Sequence, residues 1–152
     1  MQNSFCIVPC GKEKIWKKFP EKGPTRAKEV YIGSFVTRCR EYAELFFPNR
    51  YCILSAKYGF LFPEDWVNEN YDVTFTRRNT FPIGIETLRQ QAVQKNLFDY
   101  APIVVVSGKT YGEVVQKVWC AASIIMPLQN FKTYGLMMNK LKSAIDTKVP
   151  FH

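Results

Sequence analysis

The chain has 152 residues, a formal net charge of +8, and 47% hydrophobic and 22% charged residues. These proportions are typical of a globular protein, and we assign residues 1–152 to a single domain. No segment holds the roughly 20 consecutive apolar residues that a membrane helix needs, and the first residues lack the basic region of a signal peptide. We therefore expect a cytoplasmic protein that does not associate with a membrane.

The residue types narrow the chemistry that the chain can perform. The only histidine in the sequence is the last residue, His152, which argues against histidine-based acid–base catalysis and against histidine-containing zinc sites. We expect no metal and no cofactor. The 21 Lys and Arg residues outnumber the 13 Asp and Glu residues, which favours a nucleic acid or a nucleotide as partner because positive charge attracts polyanions. The alternative is that this charge serves solubility alone.

Short apolar runs and amphipathic segments alternate along the chain. Continuous apolar runs predict buried strands over residues 5–8, 51–54, 103–106 and 124–126. Helical spacing of apolar side chains predicts helices over residues 35–46, 85–97, 111–119 and 137–145. Residues 13–24 are basic, contain proline and glycine, and predict an exposed loop. The alternation of Tyr71, Val73 and Phe75 with polar residues predicts an edge strand or an extended arm with one face in water.

Four repeats of strand followed by helix define the expected fold class. They predict an α/β protein, a three-layer sandwich in which a mostly parallel sheet of four or five strands carries helices on both faces. In such sheets, ligands bind outside the carboxyl ends of the strands. The turns that follow the predicted strands are therefore the first place to look for a site.

Three predicted strands end in similar turns, which contain a small residue, a lysine and a glycine. Glycine lets a ligand approach the backbone closely, and a following helix N-terminus favours an anion. We therefore predict one phosphate- or nucleic-acid-binding site from these turns, made of Cys10, Gly11, Lys12, Lys14, Ser55, Lys57, Tyr58, Gly59, Ser107, Gly108 and Lys109. The alternative is that the turns are ordinary connections with solvated lysines, and none has the spacing of a Walker loop.

A loop rich in carboxylates follows the second predicted strand. Without a second histidine, carboxylates are the main groups left for acid–base chemistry, and Asp65 is the candidate general base or cation-stabilising group. The alternative is that Glu64 or Asp65 caps a short helix that begins near Pro63. Asp72 and Glu113 are weaker candidates for the same role.

Aromatic residues and one cysteine complete the set of candidates. Tyr58, Phe60 and Trp66 are candidates for stacking on nucleobases, although single aromatic residues more often belong to a core. Cys10 is the cysteine at a strand end, and the neighbouring Lys12 could activate its thiol as a nucleophile. A cysteine-dependent enzyme is therefore a third possibility beside a carboxylate enzyme and a binding protein.

Several segments together resemble a family of short, uncharacterised bacterial and phage proteins. The segments are VPCGKEK at residues 8–14, ILSAKYGFL at 53–61, PED at 63–65 and YDVTF at 71–75. They match a C-x-K-x-K start and an LSAKYGLL–P–D–Y–T core that members of that family share. The resemblance covers most of the chain and implies no particular activity.

Two more distant resemblances point to nucleic acid. The segment YGFLFPEDWVNENY at residues 58–71 is similar to part of the YaaA peroxide-stress proteins, which bind DNA, and this likeness carries over Tyr58, Gly59, Leu61, Pro63, Asp65 and Tyr71. Phe62 and Asp72 stand where that pattern has arginines. The Pro9-Cys10 start is similar to a segment of archaeosine-synthesis proteins, whose corresponding domain looks like uracil-DNA glycosylases. These resemblances imply a YaaA-like or uracil-DNA-glycosylase-like fold that handles a nucleobase or nucleoside.

The sequence thus leaves two main functions open. The first is an N-glycosidase that acts on a modified or damaged base extruded from DNA, with Lys12, Lys57 and Lys109 on phosphates. In that enzyme Tyr58 or Phe60 would stack on the base and Asp65 would stabilise the positive sugar or activate water. The second is a non-catalytic module that binds nucleic acid or a nucleotide at the same edge.

Overall fold

The computed structural model describes residues 3–152. Its strands are β1 (Phe5–Pro9), β2 (Thr25–Arg26), β3 (Tyr51–Ser55), β4 (Gly59–Leu61), β5 (Trp66–Val67), β6 (Ile103–Val105) and β7 (Ile124–Ile125). Its α-helices are α1 (Ala27–Val30), α2 (Ser34–Phe46), α3 (Ile85–Gln94), α4 (Lys109–Val118) and α5 (Tyr134–Thr147). Short 3-10 helices cover Ile15–Lys17, Arg78–Thr80, Leu97–Asp99 and Ala121–Ser123.

The main sheet has five strands in the order β4-β3-β1-β6-β7. Its centre, β1, pairs in parallel with β3 and with β6, and β6 pairs in parallel with β7. Only β4 runs antiparallel, as the second strand of a hairpin with β3. The prediction of a mostly parallel α/β sheet is confirmed. The short strands β2 and β5 form a separate antiparallel pair.

Helices cover both faces of the main sheet, as the strand sequences require. Alternate residues of a strand point to opposite faces, and the side chains of β1 enter two different clusters. Cys6 and Val8 belong to the cluster that includes residues of α2 and α5. Phe5 and Ile7 belong to the cluster that includes residues of α3 and α4. Burial on both faces explains why the central strands are apolar throughout.

Most residues of segment 13–24 are exposed, as its composition predicts, but two of its side chains are buried. It contains the 3-10 helix Ile15–Lys17, and Lys14 and Trp16 are only 3% and 7% exposed. Trp16 Nε1 donates a hydrogen bond to the Gly23 carbonyl at 2.8 Å, and Lys14 forms a β-bridge with Tyr31. Contacts with distant residues, rather than a local period, hold this segment against the core.

The residues around Tyr71 form an extended loop, and the structure places no strand there. The Thr80 hydroxyl accepts from the Thr74 amide at 3.1 Å and donates to the Thr74 carbonyl at 3.1 Å. These bonds replace the pairing that a neighbouring strand would provide. Tyr71 is buried, while Val73 and Phe75 are half-buried, so the alternation reflects packing of a loop onto the core.

The β3–β4 hairpin depends on a glycine and on a side chain from α3. Gly59 has a positive φ of 82°, a conformation that glycine adopts without strain. Gln91 accepts a hydrogen bond from the Phe60 amide at 2.9 Å and donates one to the Tyr58 carbonyl at 2.9 Å. A Cβ at residue 59 would overlap with the Gln91 carboxamide.

We therefore predict that Gly59→Ala lowers the free energy of unfolding by about 2–4 kcal/mol, from backbone strain and displaced Gln91 bonds. Urea titration measures this change. The matched control is Gly135→Ala in α5, where the new Cβ would lie 3.8 Å from Thr133 Oγ1 in an ordinary contact. The control should be neutral or stabilising, and equal stability of the two variants would contradict this account of the hairpin.

Candidate functional site: a cationic cleft at the carboxyl edge of the sheet

A cleft of about 720 Å³ opens where β1 and β6 end. Because these two parallel strands are neighbours, their carboxyl ends and the turns that follow them lie side by side. The structure thus brings together seven of the predicted site residues as lining of one cleft: Cys10, Gly11, Lys12, Lys14, Ser107, Gly108 and Lys109. Residues 72–77 of the extended loop and residues near the start of α5 complete the walls.

The cleft lining is strongly positive. Five cationic side chains and one carboxylate line it, which gives a net charge of +4; these are Lys12, Lys14, Arg77, Lys109, Lys132 and Asp72. Asp72 accepts a hydrogen bond from Arg77 at 2.9 Å, and Lys109 lies 3.8 Å from Glu113. Such a concentration of one charge sign in a concave site attracts anions.

Lys14 is the unusual member of this group because it is buried. Its Nζ donates a hydrogen bond to the Lys12 carbonyl at 3.2 Å and lies 4.3 Å from the centre of the Tyr71 ring. Within residues 3–152, no carboxylate lies within 4.0 Å of this ammonium group. Burial lowers the pKa of Lys14, and the nearby Cys10 and Asp72 oppose this effect in part. A buried lysine without a carboxylate partner is uncommon, because desolvation disfavours its charged form.

A chain of hydroxyl groups holds the Tyr71 ring against Lys14. The Tyr71 hydroxyl hydrogen-bonds to the Tyr31 hydroxyl and, at 2.7 Å, to Ser55 Oγ. Burial raises the pKa of both tyrosines well above their ordinary value, so both hydroxyls stay neutral. Tyr71 therefore offers Lys14 the face of an uncharged ring, which attracts a cation weakly compared with a carboxylate.

Ser107, on the other side of the cleft, is also a buried polar residue that lacks a partner for its side chain among the described residues. It is 3% exposed, and its Oγ finds no hydrogen-bond partner among the described residues. Gly108 follows as the N-cap of α4 and supplies no side-chain cap. Helix geometry leaves the first amide groups of α4 without intrahelical acceptors. The Ser107 hydroxyl and the free amide groups of the first turn of α4 therefore lie together where β6 ends and α4 begins.

Cys10 lies in the cleft close to Lys14, and its thiol contacts a tyrosine hydroxyl. Its Sγ is 3.1 Å from the Tyr111 hydroxyl, which also hydrogen-bonds to the Cys10 carbonyl at 3.3 Å. Burial raises the pKa of Tyr111 well above its ordinary value, so this hydroxyl stays protonated and cannot serve as a general base. The hypothesis that Cys10 acts as a nucleophile stays a prediction.

The turn after β3 does not line the cleft, which corrects part of the predicted site. Ser55 is fully buried, and its Oγ accepts from the amides of Lys57 and Tyr58 at 3.2 and 3.0 Å. Lys57 Nζ lies 5.6 Å from the centre of the Tyr71 ring. Lys14 contacts the same ring. The reason is that β3 turns back into the β4 hairpin at Gly59, whereas β6 leads into a helix.

Asp65 also lies outside the cleft, which corrects its predicted role beside the lysines. Because β4 runs antiparallel to β3, with Leu61 opposite Ile53, the chain returns to the amino end of the parallel strands before it reaches Asp65. There Asp65 Oδ2 accepts from the Phe62 amide at 2.8 Å, and its own amide donates to the Phe62 carbonyl at 3.0 Å. Asp65 thus closes a turn. Glu64 forms exposed ion pairs with Lys28 and Arg26.

The aromatic residues chosen for base stacking are not in the cleft either. Phe60 is 1% exposed and packs 5.6 Å from the Trp119 ring, so neither of its faces is free. Tyr58 packs on the edge of Tyr71 at 5.3 Å. Trp66 is 57% exposed but belongs to β5, with the Arg26 guanidinium 3.8 Å from its ring centre.

Four other aromatic residues line the cleft and were missed by the sequence reasoning: Phe35, Phe75, Tyr111 and Tyr134. They form two edge-to-face pairs, Phe35 with Tyr134 at 4.9 Å and Phe75 with Tyr111 at 5.5 Å. The alternation of apolar and polar residues around Phe75 is a sequence signal that could have identified this residue. No sequence signal identifies Tyr134, because its place in the cleft depends on where α5 begins.

Residues 3–152 contain no group of three or more His, Cys, Asp or Glu side chains placed to hold a metal ion. None of the helices in that range is both long and apolar enough to cross a membrane.

The fold and cleft define an α/β protein with a cationic pocket at the carboxyl edge of a mostly parallel sheet. Residues 5–143 match the model of a family of unknown function, DUF6884. The chain belongs to this family. It is 40% identical over 145 residues to the uncharacterized protein YfjM of Bacillus subtilis (strain 168), a match that covers 95% of this chain and 96% of that protein. The comparison with solved structures finds no match.

The burial of Lys14 leads to a stability prediction. Lys14→Met keeps the apolar stem but removes the desolvated charge, so we expect a gain on the order of 1 kcal/mol at neutral pH. The folded-state pKa of Lys14 lies below its unfolded-state value, so the destabilisation is fully present below the folded-state pKa. It is relieved as pH rises from the folded-state to the unfolded-state pKa, and the variant should lack this rise.

Urea titrations between neutral pH and pH about 10 compare the variant with the unaltered protein. Lys12→Met is the matched control, since Lys12 is exposed and its loss should change stability little. A Lys14→Met protein less stable than the unaltered one at neutral pH would contradict the interpretation that the buried charge is unfavourable in the unliganded cleft.

Proposed function

We propose that the cleft binds the phosphate of a nucleotide, either free or within nucleic acid. The observation that carries this proposal is the buried Lys14 ammonium, which has no carboxylate partner in a cleft of net charge +4. A buried charge is unfavourable unless it is paired and hydrogen-bonded. A bound phosphate would supply the missing negative charge and acceptors for the remaining Lys14 protons.

The rest of the cleft suits the nucleoside part of such a ligand. Its volume of about 720 Å³ lies within the range of small-molecule sites. Tyr134 is 66% exposed, and Phe75 is half-buried, so their rings retain surface for contact with a base. In this proposal Tyr134 and Phe75 take the stacking role that the sequence assigned to Tyr58, Phe60 and Trp66.

We propose a fold similar to YaaA proteins or to uracil-DNA glycosylases and a place in the cytoplasm. The support for the fold is the likeness of residues 58–71 to YaaA proteins and of the Pro9-Cys10 start to archaeosine-synthesis proteins, together with a cleft at the carboxyl edge of the sheet, where ligands of such folds bind.

Charge reversal in the cleft tests the binding function. Lys12→Glu combined with Lys109→Glu should weaken binding of a fluorescent nucleotide or short oligonucleotide on the order of tenfold or more, because both side chains line the cleft. Fluorescence anisotropy measures this change. The slope of affinity against salt then separates the ligands, since a long polyanion gives a steep slope and a mononucleotide a shallow one.

The control is Lys18→Glu combined with Lys142→Glu, which changes the net charge equally at two exposed positions outside the cleft lining. It should affect binding much less. Equal loss in both double variants would assign binding to the total charge of the protein. Unchanged affinity in the cleft variant would contradict the proposed site.

The second candidate function is hydrolysis of an N-glycosidic bond, and the position of Asp72 favours it. Asp72 is the one carboxylate among the described residues that line the cleft. Its oxygen could stabilise the positive charge that develops on the sugar or accept a proton from the attacking water. The bond from C1′ to the base breaks, water adds to C1′, and the base leaves with a proton.

Asp72→Asn should lower base release by about 100-fold or more while phosphate-dependent binding persists. Release from oligonucleotides with deaminated, alkylated or oxidised bases is measured by chromatography. Asp65→Asn is the matched control and should release bases at the unaltered rate, because Asp65 closes a turn outside the cleft. Undiminished release by Asp72→Asn would remove Asp72 from the chemistry.

A further inference from the structure

We infer that the floor of the cleft, formed by Lys14, Ser107 and the start of α4, selects a terminal phosphate, the phosphomonoester of a nucleotide or of a nucleic-acid end, over an internal phosphodiester. This inference rests on the proposed function and narrows it to one ligand class. It depends on three groups of hydrogen-bond donors in the cleft: the Ser107 hydroxyl, the amides at the start of α4, and the buried Lys14 ammonium.

Ser107 is the first observation. Ser107 lines the cleft, is 3% exposed, and has an Oγ without a hydrogen-bond partner among the described residues. Buried hydroxyl groups almost always have a partner, so one that lacks it calls for an explanation. A ligand oxygen that reaches the cleft floor would be that partner.

The second observation concerns the start of α4, which follows Ser107 in the sequence. This helix has ten residues, Lys109–Val118, and its N-cap is Gly108. The amides of its first turn have no intrahelical acceptors, and the helix dipole places positive potential at the same end. Backbone donors and a hydroxyl thus converge on one small region, which suits the oxygens of a phosphate.

The depth of the donors decides which kind of phosphate fits. Lys14 and Ser107 are each 3% exposed and come from the segments after the neighbouring strands β1 and β6. An internal phosphodiester carries a sugar on both sides, so burying it would bring two chain segments into the floor. A terminal phosphate carries one substituent and three free oxygens, and its second negative charge increases the attraction to Lys14 and to the helix dipole.

Binding of matched ligands tests this inference. The probes are a nucleoside 5′-monophosphate, its nucleoside, inorganic phosphate, and one labelled oligonucleotide with a 5′-phosphate, a 3′-phosphate or hydroxyls at both ends. We expect the monophosphate to bind at least tenfold tighter than the nucleoside, since charged hydrogen bonds are the stronger ones. A phosphorylated oligonucleotide should likewise exceed the unphosphorylated one, and the preferred end shows which terminus enters.

Ser107→Ala supplies the second measurement. Removal of an unpartnered hydroxyl should leave the protein folded and lower the affinity for terminal phosphates about tenfold, while the unphosphorylated oligonucleotide binds as before. The matched control is Ser143→Ala on the exposed side of α5, which should leave every affinity unchanged.

Three outcomes would overturn the inference. Equal binding of phosphorylated and unphosphorylated oligonucleotides would show that the cleft takes internal phosphates, and the proposed function would stand. An unchanged affinity of Ser107→Ala for the monophosphate would remove Ser107 from the site and, with it, the buried hydroxyl on which selection of a terminal phosphate depends. Failure of every nucleotide and oligonucleotide to bind would reject the proposed function together with the inference.

Discussion

The burial of one lysine without a carboxylate partner is the constraint on which this account of the molecule depends. Lys14 is placed by a β-bridge to Tyr31 and by the face of the Tyr71 ring, 4.3 Å from its ammonium nitrogen. Neither contact neutralises a charge. The fold therefore accepts an unfavourable arrangement in the unliganded cleft, which is a common property of binding sites and is uncommon in ordinary core packing.

The cleft is assembled from segments that are far apart in the sequence. The hydroxyl groups of Tyr31, Tyr71 and Ser55 link the segment before α2, the extended loop and the end of β3. This chain of bonds holds Tyr71 under Lys14, while β1 and β6 set the turns with Cys10 and Ser107 next to each other. The central strands thus position the turns that line the cleft, and the tyrosines position the lysine.

Local patterns predicted the fold well because they arise from local geometry. Apolar runs predicted the parallel strands, and adjacent parallel strands place their following turns together, so Lys12 and Lys109 line one cleft. The errors in the predicted site arise from contacts between residues that are far apart in the sequence. The reversal at Gly59 depends on its positive φ and on Gln91, more than thirty residues away, and that reversal carries Asp65 to the opposite edge of the sheet. The burial of Lys14 arises from contacts with Tyr31 and Tyr71 that no spacing rule reports.

The central claim is that the Lys14 charge is unfavourable in the free protein and favourable with a bound phosphate. Nuclear magnetic resonance of lysine labelled with carbon-13 at Cε follows the Lys14 titration directly, with the signal assigned by its loss in Lys14→Met. The account predicts a midpoint below the ordinary lysine value in the free protein and an upward shift when a nucleoside monophosphate is added. An ordinary midpoint that the nucleotide leaves unchanged would contradict it.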